Sequence, residues 1–197
     1  MGNVLLHRKI SIVLATVDVI NEYGINGLST REVAKRVGIS EAAIFKHFKS
    51  KSDLLYAVLD HFSHYDIDVI ASIRSKKLDP IEAIVCFIDT YAAYYENYPA
   101  ITALTQNNDV LRYDPNLSEK IQDILFSRTD FIAQMLKQAQ CNGKIKADLD
   151  SEDIAVMIMG IAREWCLNWR LRDYSFSLRE RMLASLKIVL EALVIKF

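Results

Sequence analysis

The run from Ser29 to Lys51, STREVAKRVGISEAAIFKHFKSK, constrains the fold more than any other part of the chain. It holds two short apolar-patterned segments around one glycine. Ser29 and Glu32 have the spacing of a capping box, in which the serine oxygen takes an orphan amide and the glutamate returns to the serine amide. The spacing predicts a helix from Thr30 to Val37 with Val33, Ala34 and Val37 facing inward. Ala34 is small, as a closely crossing helix requires. Gly38 follows the last apolar residue, where glycine tolerates a left-handed backbone at least cost. Ile39 plugs the turn, and Ser40 is a strong N-cap for a second helix. That helix turns Ile44 and Phe48 inward and exposes Glu41, Ala42, Ala43, Lys46 and His47. Short side chains at its start would let it approach base edges in a major groove. Two helices joined this way form a helix-turn-helix, and they point to duplex DNA.

Charge agrees with this reading. Arg31, Lys35, Arg36, Lys46, Lys49 and Lys51 face only two acidic residues, Glu32 and Glu41, between Leu28 and Lys51. The whole chain has a formal net charge of -1, so the basic surface is local. A compact basic patch suits phosphate contacts better than general attraction to polyanions. An ordinary helical hairpin with a solvated charged face is the bland alternative. The coincidence of caps, turn glycine, small crossing residue and local charge favours DNA.

From Ile10 to Leu59 the chain resembles the TetR family of bacterial transcriptional regulators. The resemblance rests on Val-Ile-Asn-Glu-Tyr23-Gly24, then Gly27-Leu28-Ser29-Thr30, then Ile39-Ser40 with an aromatic-x-His-Phe run, and Lys51-x-x-Leu54. It covers about the first third of the chain; the remainder is similar in length and helical character. The resemblance implies that Thr30 binds a phosphate at the start of its helix. It implies that Ser40, Glu41, Ala42 and Ala43 face base edges, and that His47 and Lys51 hold phosphates. Arg31 and Lys46 lie in the same basic run. The family usually has a tyrosine where this chain has Phe45, so that phosphate hydrogen bond is lost or passes to Lys46 or Lys49. The Phe45 ring can still pack on sugar or a thymine methyl.

Composition sets wider limits. The 197 residues are 51% hydrophobic, enough for a sizeable core, and six glycines and three prolines argue against a turn-rich β fold. No run reaches the ~18 apolar residues of a membrane span, and no signal peptide is expected. Cys86, Cys141 and Cys166 are widely separated and read as reduced, buried thiols of a cytoplasmic protein. The expected fold is all-α with about nine helices. An N-terminal three-helix DNA-binding domain would occupy 1–50, and a larger helical ligand-binding and dimerisation domain 51–197. Helices are expected at about Leu6–Tyr23, the two of the hairpin, Ser50–Arg74, Asp79–Tyr98, Ile101–Asn107, Asp114–Asn142, Ser151–Arg172 and from Ser177 to the end. The domain boundary is expected within the fourth helix, which could then transmit a tilt.

The last two helices read as a dimer interface. Ile158 on the eighth, with Leu183, Leu186, Leu190, Leu193 and Phe197 on the ninth, form apolar stripes wider than one core needs. Two helices from each of two subunits would make a four-helix bundle, and dimerisation would present two recognition helices to a pseudo-palindrome. The middle helices carry Tyr91, Tyr94, Tyr95, Arg128, Met157 and Trp165, a set suited to an apolar or aromatic molecule with a polar end. An aromatic stripe at helical spacing is also what a filled core shows. Arg163-Glu164 is read as a partly buried ion pair at the dimer seam, the alternative being that Arg163 faces an anionic group of a ligand.

Asp60, His61, His64 and Asp68 share helical spacing and could approach a metal, but a wet surface is the commoner outcome, so no metal and no cofactor is expected. No catalytic constellation emerges, and the chain is not expected to be an enzyme. The expectation is a ligand-responsive one-component regulator, a repressor, whose dimer binds an operator and is released by a small effector. The alternatives are a ligand-independent DNA-binding protein and a helical enzyme or carrier.

Overall fold

The structure, a computed structural model, describes residues 2–106 and 113–194. Among them nine helices form: α1 Gly2–Tyr23, α2 Thr30–Val37, α3 Glu41–Phe45, α4 Lys51–Ser75, α5 Pro80–Asn97, α6 Pro99–Gln106, α7 Pro115–Cys141, α8 Ser151–Leu171 and α9 Leu178–Leu193. No strand forms among the described residues, only an isolated bridge between Ile145 and Val194. The first helix begins at Gly2 rather than Leu6, and the second hairpin helix ends at Phe45, with His47 and Phe48 still bonded to the Ile44 carbonyl. Asn107 and Phe197 lie outside the described residues.

The chain forms two compact units. One comprises residues 1–64 and 98–122, the other 65–97 and 123–197. In the first, α1 packs on α2 and α6, and α2 on α3. Ile12, Val13, Val17 and Ile20 of α1 meet a core containing Val33, Ala34, Ile44 and Phe48 of the hairpin. Leu54, Leu55, Val58, Leu59 and Phe62 supply the buried stripe of α4. Ile44 and Leu54 are fully buried, and each such side chain stabilises by about 1.5–3 kcal/mol relative to exposure. Gly27 admits no side chain without movement: a Cβ there would sit 2.4 Å from the Tyr23 carbonyl oxygen. In the second unit α9 packs chiefly on α5 and α8. Phe87, Tyr95, Phe131, Ile132 and Leu136 fill its interior.

Most helix starts follow the local chemistry. Ser50 accepts from the Asp53 amide at 3.0 Å while Asp53 accepts from the Lys49 amide at 2.8 Å, a reciprocal cap on α4. Asp79, before Pro80, accepts from the Ile81 amide at 3.1 Å, and Asp114, before Pro115, from the Asn116 amide at 3.0 Å. Asp150 caps α8 through the Glu152 and Asp153 amides. Ser177 accepts from the Glu180 amide at 3.2 Å and donates its own proton to Glu96 at 3.0 Å.

Candidate nucleic-acid interface and buried polar cluster

The hairpin forms as its sequence dictates, with one exception. Gly38 closes α2 in the left-handed region at φ 73°. Ser40 caps α3, its oxygen accepting from the Ala43 amide at 3.2 Å. The capping box at Ser29 does not form: Ser29 makes no side-chain cap bond. Glu32 turns instead toward Arg36 at 3.7 Å and Lys35 at 3.9 Å, because two cations one turn ahead compete with a single serine amide. Arg36 also pairs with Glu22 of α1, which lashes α2 to α1. The Tyr23 hydroxyl and Arg36 both hold the Glu22 carboxyl below its ordinary range.

Arg31, Ser40, Glu41, Ala42, Phe45, Lys46 and Lys51 are exposed, and Thr30, Ala43 and His47 are half-buried. All ten therefore reach the surface of one unit. Phe45, with 47% of its surface exposed, is the large apolar side chain on this face, beside the small Ala42. The Thr30 hydroxyl donates to the Glu41 carboxylate at 2.5 Å, joining the first residues of α2 and α3. That proton is therefore engaged with Glu41 rather than held ready for a phosphate.

Asp60 and His64 on α4 line a cleft of about 650 Å³ beside His47, Tyr56 and His61. Asp60 accepts from Lys120 at 2.7 Å, and the His64 Nδ1 lies 2.6 Å from the Asp60 carbonyl oxygen. Among the described residues no group of three or more acidic, histidine or cysteine side chains is placed to hold a metal.

The second unit contains a buried charge. Arg128 of α7 is 5% exposed and Asp66 of α4 is 6% exposed. The guanidinium donates from Nε at 2.7 Å and from Nη2 at 2.6 Å to the same oxygen of Asp66. Its Nη1 donates to the Tyr95 hydroxyl at 3.1 Å. It also lies 5.0 Å from the centre of the Tyr91 ring, whose edge meets Tyr95 at 4.4 Å. Burial draws the Asp66 carboxyl up from its ordinary value, and Arg128 only partly offsets this. Burial opposes the charge of Arg128 too, but Tyr95, Asp66 and Tyr91 hold it protonated. Of the three cysteines expected to be buried, Cys86 is half-buried and Cys141 exposed; Cys166 is buried, and burial pushes its thiol up to about 12.

Sequence reasoning found Tyr91, Tyr95 and Arg128 but missed Asp66. The available signal was its place four residues after Phe62, on the buried stripe of α4. Tyr94 stands beside this group, half-buried and stacked on Tyr65 at 3.7 Å. Met157 does not join it: the side chain is 59% exposed on the outer face of α8. Trp165 turns to α9, donating to Ser185 at 2.8 Å and meeting the edge of Phe176 at 5.8 Å.

The terminal helices also divide differently from expectation. Ile158, Leu186, Leu190 and Leu193 are buried within the chain itself, and Leu183 is half-buried. The four buried side chains pack this subunit's own core, while Leu183 keeps part of its surface outside it. Exposed apolar positions on these helices are instead Val156, Met157, Gly160, Leu167 and Leu171 on α8, with Ala184 and Ile188 on α9. Arg163 and Glu164 are both exposed in the single chain, and Glu164 accepts from the Asn168 side-chain amide at 2.8 Å.

Residues 12–58, spanning the hairpin, match the family described as bacterial regulatory proteins, tetR family. Residues 60–192 match the YsiA-like protein, C-terminal region. The chain belongs to the TetR family of bacterial transcriptional regulators. It is similar to the nucleoid occlusion factor SlmA of Vibrio cholerae, 21% identical over 81% of this chain and 82% of the relative. It is similar also to the fatty acid metabolism regulator protein of Bacillus subtilis, 25% identical over 87% of this chain and 88% of the relative. Among solved structures it resembles a transcriptional regulator FadR from Bacillus subtilis in complex with stearoyl-CoA. The TM-score is 0.78 at 25% identity, over 94% of this chain and 97% of the other.

This TetR-family regulator therefore has its DNA-binding hairpin at α2–α3, and its family is one of transcriptional regulators rather than enzymes. Among the described residues no helix is long and apolar enough to cross a membrane.

Proposed function

We propose that the protein is a ligand-responsive repressor that binds a pseudo-palindromic operator as a dimer and leaves it when an effector enters the second unit. The DNA-contacting set is Arg31, Ser40, Glu41, Ala42, Ala43, Phe45, Lys46, His47 and Lys51, with Thr30 beside them holding the Glu41 carboxylate. The effector has an apolar body and a polar end, with Tyr91, Tyr94, Tyr95 and Arg128 as its contacts. The observation that carries this reading is the Arg128–Asp66–Tyr95 cluster. A buried ion pair contributes little net stability over apolar packing, so a charge kept inside an aromatic core suits a polar recognition point. Long-chain acyl thioesters are the first class to try, since one relative regulates fatty acid metabolism and one structural neighbour holds stearoyl-CoA. Dimerisation is assigned to the exposed stripe of α8 and α9, Val156, Met157, Gly160, Leu167 and Ile188, in place of the buried leucines.

The helix α4 carries the coupling in this reading. It is continuous from Lys51 to Ser75 and contributes to both units. An effector that favours one tilt of α4 would change the spacing of two recognition helices. Effector and operator must then weaken each other by the same factor. The test is to titrate stearoyl-CoA into the protein with and without its selected operator. Equal affinity in both would remove the coupling. The competing reading, a protein that occupies DNA without an effector, gains from the filled interior around Tyr95, Phe87 and Phe131. It expects stearoyl-CoA and a broader metabolite panel to leave thermal stability unchanged.

A further inference from the structure

We infer that Glu41 is the operator-specificity determinant of this protein and that it reads a cytosine in each half-site. This rests on the proposal that α3 enters the major groove. The outer face of α3 carries few groups able to hydrogen-bond a base. Ala42 and Phe45 are exposed but apolar, and suit thymine methyls. The Ser40 oxygen accepts from the Ala43 amide, which ties its short side chain to the helix start and leaves its hydroxyl proton as the one other polar group at this end. Glu41 is exposed at the first position of the helix, where side chains of a recognition helix meet base edges.

Two observations single out its carboxylate. The first is that it is held: the Thr30 hydroxyl donates to one oxygen at 2.5 Å. A carboxylate offers about four lone-pair sites, so one such bond leaves acceptor capacity for a base. A fixed side chain also loses less freedom on binding than a mobile one. The second is charge. The other carboxylate of the hairpin, Glu32, is compensated by Lys35 and Arg36 on its own helix. Glu41 is tied to a neutral hydroxyl, on the face that must approach phosphates. There it repels any duplex that offers it no donor. In the major groove, donors are the cytosine N4 amino and the adenine N6 amino groups. Glutamate accepts from cytosine, whereas adenine is read by the paired donor and acceptor of Asn or Gln. Glu41 thus lowers affinity for DNA in general and restores it at one base.

The experiment is a selection of bound duplexes from a random pool with wild type, Glu41→Gln and Glu41→Ala, at one near-physiological salt concentration. Wild type should enrich a pseudo-palindrome with a cytosine column in each half-site. Glu41→Gln keeps an acceptor for Thr30 and should move that column to adenine while leaving the others in place. Glu41→Ala should flatten the column and tighten binding to random duplex. On purified operator, replacing that cytosine by thymine should weaken wild type about tenfold or more and Glu41→Ala by less than about twofold. A wild-type palindrome whose columns are unchanged in both variants overturns the assignment while leaving the DNA reading intact. Enrichment of no motif by wild type would overturn the DNA reading and this assignment with it.

Discussion

Replacing Asp66 by alanine should be among the most damaging single changes in the second unit. Asp66 accepts two charge-assisted hydrogen bonds from Arg128, at 2.7 and 2.6 Å, and both side chains are more than nine-tenths buried. Asp66→Ala leaves the guanidinium in place with the Tyr95 hydroxyl as its remaining acceptor from this group. Removing one partner of such a pair costs about 3–5 kcal/mol, because the other charge stays buried and uncompensated. For a chain of this size each kcal/mol lowers Tm by roughly 2–4 °C, so a loss of about 6–20 °C is expected. The paired change Asp66→Leu with Arg128→Met removes both charges and fills similar volume. Its core is apolar, so its stability should return to within about 2 kcal/mol of wild type, the lost Arg128–Tyr95 hydrogen bond accounting for the deficit while Tyr91 remains a partner of the Tyr95 hydroxyl. Urea unfolding followed by circular dichroism, at one protein concentration to hold any association constant, measures both. A single variant within about 1 kcal/mol of wild type, or a double variant no better than the single, would refute the account of a buried, mutually dependent pair.

Three further outcomes follow from named contacts. Met157→Glu with Ile188→Glu, at side chains 59% and 70% exposed, should yield monomers in analytical ultracentrifugation at unchanged helicity, whereas Leu186→Ala should cost about 2–5 kcal/mol by opening a cavity; dimers surviving the first change would move the interface elsewhere. Cys166 has an ordinary value near 9 when unfolded and about 12 when folded. Between these the unfolded chain loses a proton that the folded chain keeps, so stability should be whole below pH 9 and fall as pH rises, by about 1.4 kcal/mol per unit from this thiol alone. Cys166→Ala should flatten that alkaline slope in a pH series of urea melts, and an unchanged slope would contradict the burial argument. Lys51→Ala should weaken all duplex binding and lower the salt slope by about one, read from fluorescence anisotropy at several salt concentrations; an unaltered slope would remove Lys51 from the phosphate contacts.

The hairpin was legible because its determinants are local. Gly38, Ser40, Ile44 and Phe48 act within a few residues of one another, and each does what its type and position imply. The caps at Ser50, Asp79 and Asp114 were legible for the same reason. Ser29 shows the limit of such reasoning. Its glutamate partner was present, but Arg36 offered that carboxylate a charged alternative one turn along the helix. The polar cluster was only half visible. Arg128 stood out as a charge between apolar residues, but its partner lies 62 residues away, and pairing at that separation is set by tertiary packing.

The terminal helices show why an apolar stripe does not by itself name its partner. On α8, Ile158 lies one residue, about 100° of rotation, from Met157, so both belong to one broad apolar arc. Hydrophobicity is the same on either side of that arc; only the position of α5 decides which side is inside. The interior took Ile154, Ile158, Ala162 and Trp169, leaving Val156, Gly160, Leu167 and Leu171 outside at spacings of four, seven and four. On α9 the longer side chains Leu186, Leu190 and Leu193 went inward, and the outer row is Ala184, Ile188 and Ala192. Small residues now gain a purpose that the sequence alone did not give them. Open space stands where a Cβ on Gly160 would project, and alanines flank Ile188, so a second helix could approach both backbones closely. In the dimer proposed above, these small residues rather than the leucines would mark where two helices of a partner fit.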